Sequence, residues 1–201
     1  MKNVFIGIIF ISSFLLVESL SVDLKLEKDE EMRFIYISYL EYLTNFTGNS
    51  VKINQSKINK MIDNIILHDF NTIIIQVSPF SDAIYESDIF PYSYTLTGKE
   101  GKNPGFDYLA YFIKMAHIKK VKVHAWINPY RISSHNDITK IANTNPAIKF
   151  LNTENIGISQ NGIYYDPTSE LVKQLIEKQV MELIKKYDLD GIHFDDYFYI
   201  D

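Results

Sequence analysis

The chain has 201 residues, 46% hydrophobic and 14% aromatic, enough apolar material for one globular domain with its own core. Its 20 lysines and arginines face 25 aspartates and glutamates, for a net charge of −5, and neither sign gathers into a patch, so the electrostatic footprint of a nucleic-acid binder is missing. There is no cysteine, which excludes a disulfide framework and a lipid-modified cysteine.

Taken in chain order, Met1, Lys2 and Asn3 precede an apolar run from Val4 to Val17, followed by Glu18 and the small residues Ser19 and Ser21. That layout predicts a signal peptide over 1–21. The run falls short of the roughly 20 residues that cross a bilayer, so an uncleaved anchor is the lesser alternative, and membrane contact is expected only through this segment. Residues 22–31 (VDLKLEKDEE) read as a charged linker into a domain over 32–201.

Apolar runs then alternate with amphipathic stretches. FIYISYL at 34–40 predicts a first strand and KINKMIDNIILHDF at 57–70 a helix, with Ile58, Met61, Ile62, Ile65 and Ile66 at helical spacing. NTIIIQV at 71–77 predicts the second strand, and FDYLAYFIKMAHIKK at 106–120 a helix with Leu109, Phe112, Ile113 and Ala116 on one face. VKVHAWI at 121–127 predicts the third strand, SELVKQLIEKQVMELIKKY at 169–187 a helix capped by Thr168 or Ser169, and DGIHFDD at 190–196 the fourth strand. Strand, helix, strand in repetition predicts right-handed βαβ units and a parallel sheet.

Side-chain alternation narrows the choice. Ile73, Ile75 and Val77 oppose Ile74, Gln76 and Ser78; Val123, Ala125 and Ile127 oppose His124, Trp126 and Asn128; Ile192 and Phe194 oppose His193 and Asp195. Each strand thus has an aliphatic face for helices and a second face that turns polar toward its C-terminal end. A doubly wound sheet buries both faces and reads as continuous apolar runs. Polar groups converging at strand C-termini suit a (β/α)₈ TIM barrel, and the long connections, 78–105 and 128–168, lie on that same side.

The strings QVSPFSDAIYESDIFPYSYTLTGKEGKNPGFDYLA (76–110), AHIKKVKVHAWINPYR (116–131) and DGIHFDDYFY (190–199) resemble the glycosyl hydrolase-like family ten domain, formerly domain of unknown function 187, from about Arg33 to the end of the chain. The resemblance implies an exported bacterial (β/α)₈ glycoside hydrolase-like domain, in a family that includes an enzyme cutting peptidoglycan strands stripped of their peptides. This chain departs from the family pattern where Ser78 replaces a usual arginine, Lys120 a helix-ending glycine, Thr168 a glycine after Asp166-Pro167, and Ile200 a proline. Lys120 is expected either to take the left-handed conformation the glycine would take or to re-form the turn, at a cost on the order of 1 kcal/mol.

Hydrolysis of a glycosidic bond needs a proton donor and a second carboxylate acting as nucleophile or base. Asp195, lumen-facing at a strand's C-terminal end, is the first candidate and Asp196 the second; the alternative is that one caps the loop and the other pairs with Arg131. His124 and His193, on adjacent strands, either bond sugar hydroxyls or form a satisfied polar pair inside the barrel. Trp126, Tyr130, Tyr197 and Tyr199 offer faces for sugar stacking, or packing. Asn128 and Arg131 are candidate hydroxyl and carboxylate binders, Gln76 sits on the same strand face, and Asp82 with Tyr85 either lines the rim or serves a turn. His68, His117 and His135 are expected at the surface or at helix ends.

No cofactor or metal is expected. A zinc or iron site built from His124, His193 and Asp195 is the rival chemistry, but close-spaced histidine motifs are missing. A full barrel takes about 250 residues, so the sequence is expected to supply its N-terminal half, with the partner acid elsewhere and little activity of its own. A non-catalytic carbohydrate-binding remnant is the other alternative. The expected partner is a polysaccharide or glycan strand, and the sequence does not give the oligomeric state.

Overall fold

The structure, a computed structural model, describes residues 31–195. The predicted signal peptide and nearly all of the linker, together with Asp196, Tyr197, Tyr199 and Ile200, lie outside them. Among the described residues no helix is long and apolar enough to cross a membrane.

Strand β1 (Phe34–Ile37) is followed by helices α1 (Tyr39–Asn45) and α2 (Val51–Leu67), then β2 (Thr72–Ser78). A short helix α3 (Tyr94–Thr97) and the longer α4 (Tyr108–Ile118) lead to β3 (Lys122–Ile127). After β4 (Arg131–Ser133), β5 (Ile156–Ser159) and β6 (Gly162–Tyr165), helix α5 (Glu170–Lys186) returns the chain to β7 (Gly191–Phe194). The sheet order is β1-β2-β3-β7, all neighbours parallel, with crossover helices between them. This is the N-terminal half of a (β/α)₈ barrel.

The helix-facing side of the sheet is the core. Ile73, Ile75 and Val77 of β2 and Val123, Ala125 and Ile127 of β3 pack with Ile58, Ile62 and Ile65 of α2 and with Leu109, Phe112, Ile113 and Ala116 of α4. Met61 is partly buried against this cluster, whereas Ile66, expected inside, is exposed on the far side of α2. At about 25 cal/mol per Å² of apolar area, these faces supply the main driving force for the βαβ packing.

Three expectations are corrected. The first strand does not run to Leu40, because Ser38 starts α1: the Ser38 N–H donates to Glu41 Oε2 at 2.8 Å and the Ser38 side chain accepts from the helix, a capping box that outweighs the apolar run. Helix α2 begins at Val51, capped by Ser50, six residues earlier than the apolar periodicity suggests. The segment 128–168 is not simply a loop. It holds a three-stranded antiparallel sheet ordered β4-β6-β5, two 3₁₀ turns at Ile138–Lys140 and Pro146–Phe150, and a second core of Ile132, Ile141, Ala147, Ile163, Tyr165 and Val172.

Lys120 does adopt a left-handed backbone, φ 61°, as the turn after α4 requires.

Candidate active site

The parallel register places side chains in rows across the helix-free face of the sheet. Tyr36 pairs with Ile74, Ile74 with His124, and His124 with Gly191; the next row joins Gln76, Trp126 and His193. Gly191 carries no side chain where the His124 ring needs room: a Cβ there would lie 2.8 Å from the imidazole. Burial holds His124 below the usual imidazole value; nearby His193 and Lys122 act the same way, and Asp190 opposes them. His124 is therefore neutral near pH 7, able to accept or donate one hydrogen bond.

Tyr36, Trp126 and His193 form one aromatic cluster. The Tyr36 hydroxyl lies 3.1 Å from His193 Nε2, and the Tyr36 ring meets Trp126 and His193 edge-on at centroid distances of 5.3 and 5.5 Å. Tyr36 is 42% exposed, so the cluster opens to solvent. The Trp126 indole N–H is buried and has no hydrogen-bond partner, a defect worth about 1–3 kcal/mol until something accepts from it. Asp195 is exposed and directly follows the last residue of β7. By strand alternation it continues the side of His193, so the cluster and a carboxylate share the C-terminal rim.

Other candidates have commitments elsewhere. The Gln76 Oε1 accepts from the Tyr39 N–H at 2.9 Å and its backbone carbonyl accepts from the Tyr42 hydroxyl at 2.7 Å, so it ties α1 to the sheet. Asn128 is buried, with its N–H donating to the Ser78 carbonyl at 3.0 Å. Tyr130 packs against the second core rather than in the aromatic cluster. The Arg131 guanidinium sits 5.1 Å above the Phe80 ring, a cation–π contact. Tyr85 is wholly buried and reaches Glu182 of α5, so it is core rather than rim.

Asp82 is 1% exposed, and burial pushes its carboxyl up to about 7, against the downward pull of the nearby Ser93 side chain and of the Phe80 N–H, which donates to Oδ1 at 3.0 Å. His68 caps the end of α2, and His117 lies in the last turn of α4 with Nε2 2.9 Å from Asp190 Oδ2. Among the described residues no set of three or more histidine, aspartate or glutamate side chains is arranged to hold a metal ion.

Sequence reasoning overlooked Tyr36. The signal was present, since Phe34 and Tyr36 alternate with Ile35 and Ile37 in β1, but an aromatic residue in an apolar strand carries no chemical label.

Residues 31–201 match the sequence profile of the family described as "Glycosyl hydrolase-like 10". The chain is 36% identical over 176 residues to glycosyl hydrolase YngK of Bacillus subtilis, covering 86% of this chain and 34% of that protein. It is 34% identical over 164 residues to glycosyl hydrolase DigH of Escherichia coli K12, covering 78% of this chain and 37% of that one. It thus spans about a third of the length of these relatives. In fold it is similar to α-L-fucosidase isoenzyme 2 from Paenibacillus thiaminolyticus (TM-score 0.53, 18% identity, 83% of this chain and 23% of that one). It is also similar to the maltogenic α-amylase AmyB from Thermotoga neapolitana (TM-score 0.54, 13% identity, 85% and 40%).

Proposed function

The chain belongs to the glycosyl hydrolase-like 10 family, and from that premise we propose that it forms the first four strands of a glycosidase that is exported and acts on the glycan strands of a bacterial cell wall. The observation that carries this reading is the Tyr36, Trp126 and His193 cluster on the helix-free face, with Asp195 one step past the end of the same strand as His193. The aromatic edges offer an apolar wall to a sugar ring, and the neutral His124 and the His193 imidazole offer hydroxyl partners.

In this mechanism Asp195 is one of the two required carboxylates, stabilising positive charge as it develops on the sugar, and Asp196 stands by as the alternative. The second acid comes from the strands that close the barrel. A separation of about 5–5.5 Å between the pair gives retention, and about 6.5–9.5 Å gives inversion. Arg131, whose guanidinium sits over Phe80, would engage a sugar carboxylate if it leaves that ring.

The test is incubation with peptide-free peptidoglycan strands, with products followed by mass. The 201-residue chain alone is expected to release little or nothing. A form carrying all eight strands is expected to cleave, and Asp195→Asn in it to lower the rate by about 10³-fold, the scale of losing one essential carboxylate. Cleavage unchanged by Asp195→Asn would remove the mechanism.

A further inference from the structure

A concavity lies between the loop that follows β2 and the segment that follows β4. It measures about 390 Å³ and is lined by Phe80, Asp82, Tyr94, Ser133, Ser134 and His135, with Lys99, Glu100 and Lys140 also contributing. That size falls within the roughly 300–1,000 Å³ of small-molecule sites. None of Tyr36, His124, Trp126 or His193 lines it.

Its walls are fixed by buried hydrogen bonds. Asn145 donates from Nδ2 to the Ser81 carbonyl at 3.0 Å and to Glu100 Oε1 at 2.7 Å, and Glu100 Oε2 accepts from the Ala142 N–H at 2.8 Å. Ser81 Oγ lies 2.7 Å from the Tyr165 hydroxyl, linking the pocket to the small sheet. Tyr94 and Phe80 stand 5.8 Å apart, and Phe80 is held on its other flank by Tyr39 at 4.8 Å.

Two polar atoms in this rigid setting are unsatisfied. Asp82 Oδ2 and His135 Nδ1 are both buried without a hydrogen-bond partner, while both residues line the pocket. Leaving such atoms orphaned is costly, and native structures keep them where a ligand or bound water completes the bonding. Glu100, joined by Asp82 where that carboxyl is ionised, disfavours an anion. A bare cation is disfavoured by Lys99 and Lys140 and by the single uncommitted carboxylate oxygen. A neutral ring rich in hydroxyls fits, donating to Asp82 and laying its apolar face on Tyr94.

We propose that this pocket is a binding subsite for one sugar residue of the substrate, with a ring hydroxyl donating to Asp82 Oδ2, a second hydroxyl bonding His135 Nδ1, and Tyr94 as the stacking surface. The assignment rests on the glycan reading above and adds a holding point that is separate from the strand-face cluster.

The test is titration of the whole chain with N-acetylglucosamine and with its β-1,4-linked trimer, followed by backbone amide NMR shifts. Wild-type protein is expected to shift amides at Phe80, Tyr94 and His135, and Asp82→Asn to weaken binding about tenfold, which corresponds to 1.4 kcal/mol. Tyr94→Ala, whose side chain is only partly buried, serves as the second variant if Asp82→Asn is misfolded, with a loss of about fivefold expected. His193→Ala is expected to leave monosaccharide binding at the pocket within twofold. No saturable shift at these amides, or wild-type affinity in both pocket variants, would overturn the subsite. Binding lost in His193→Ala alone would do the same while leaving the proposed function standing. A failure of the eight-stranded form to cleave glycan, with pocket binding intact, would remove the function and keep the pocket.

Discussion

The hydroxyl of Tyr36 and Nε2 of His193 lie 3.1 Å apart although 157 positions separate them in the chain. The first and fourth parallel strands are therefore coupled across two intervening strands by aromatic side chains over the open face, with Trp126 between them. The phenol can donate to Nε2 or accept from it, so the contact anchors the His193 ring in either tautomer.

Replacement Tyr36→Phe keeps the ring packing and removes that hydrogen bond. The Nε2 ¹⁵N shift of His193 is expected to move on loss of the phenol, while folding stability changes by less than about 1 kcal/mol because the site is open to water. An unchanged Nε2 shift would mean that the phenol does not bond His193.

Asp82 gives stability a distinctive pH dependence. Its carboxyl ionises near the ordinary 3.8 when the chain is unfolded and near 7 in the buried folded site. Between those values the folded state holds a proton that the unfolded state has released. The contribution is complete below about pH 4 and fades as pH rises through 7, a loss on the order of 4 kcal/mol at most. Asp137, Asp166 and Asp190 are shifted down, so their contributions are lost only toward lower pH. Urea midpoints at pH 4.5 and 7.5 are expected to fall for the wild type and to differ less for Asp82→Asn; parallel slopes in the two proteins would contradict the assignment.

The turn from β1 into α1 depends on Ser38. Ser38→Ala removes the side-chain half of the capping box and is expected to cost about 1 kcal/mol. Hydrogen exchange at Leu40 and Glu41 should accelerate before that of β2, since the cap is local while Thr72–Ser78 is buried throughout.

Gly191→Ala tests the seat of His124. The added Cβ would meet the imidazole at 2.8 Å, so the ring must swing away or β7 must shift. A loss of about 1–3 kcal/mol is expected, together with moved His124 ring resonances. A neutral substitution with the His124 signals in place would show that β7 has slack there.

Much of the fold is written in local pattern. Alternation in Thr72–Ser78 and Lys122–Ile127 separates a helix-facing row from a row carrying Gln76, His124 and Trp126 without any knowledge of partners. The Ser38 to Glu41 capping box was also legible, but the apolar residues on both sides of Ser38 over 34–40 hide it from a reading based on periodicity alone. The small sheet was not legible. β4, β5 and β6 have three or four residues each, too few to show a period, and they pair only because the second core gathers around them.

By itself, then, the sequence determined the parallel βα order, the helix faces and the polar rows, because those follow from periods of 2 and 3.6 and from neighbours along the chain. Tertiary structure alone decided that Tyr36 would meet His193, that Gln76 would be spent on α1, and that Asp82 would be sealed in a pocket with an orphaned oxygen. Each of those outcomes depends on which distant segments close over a side chain. Burial and partner choice set hydrogen bonding and ionisation, and neither is encoded within reach of a local window.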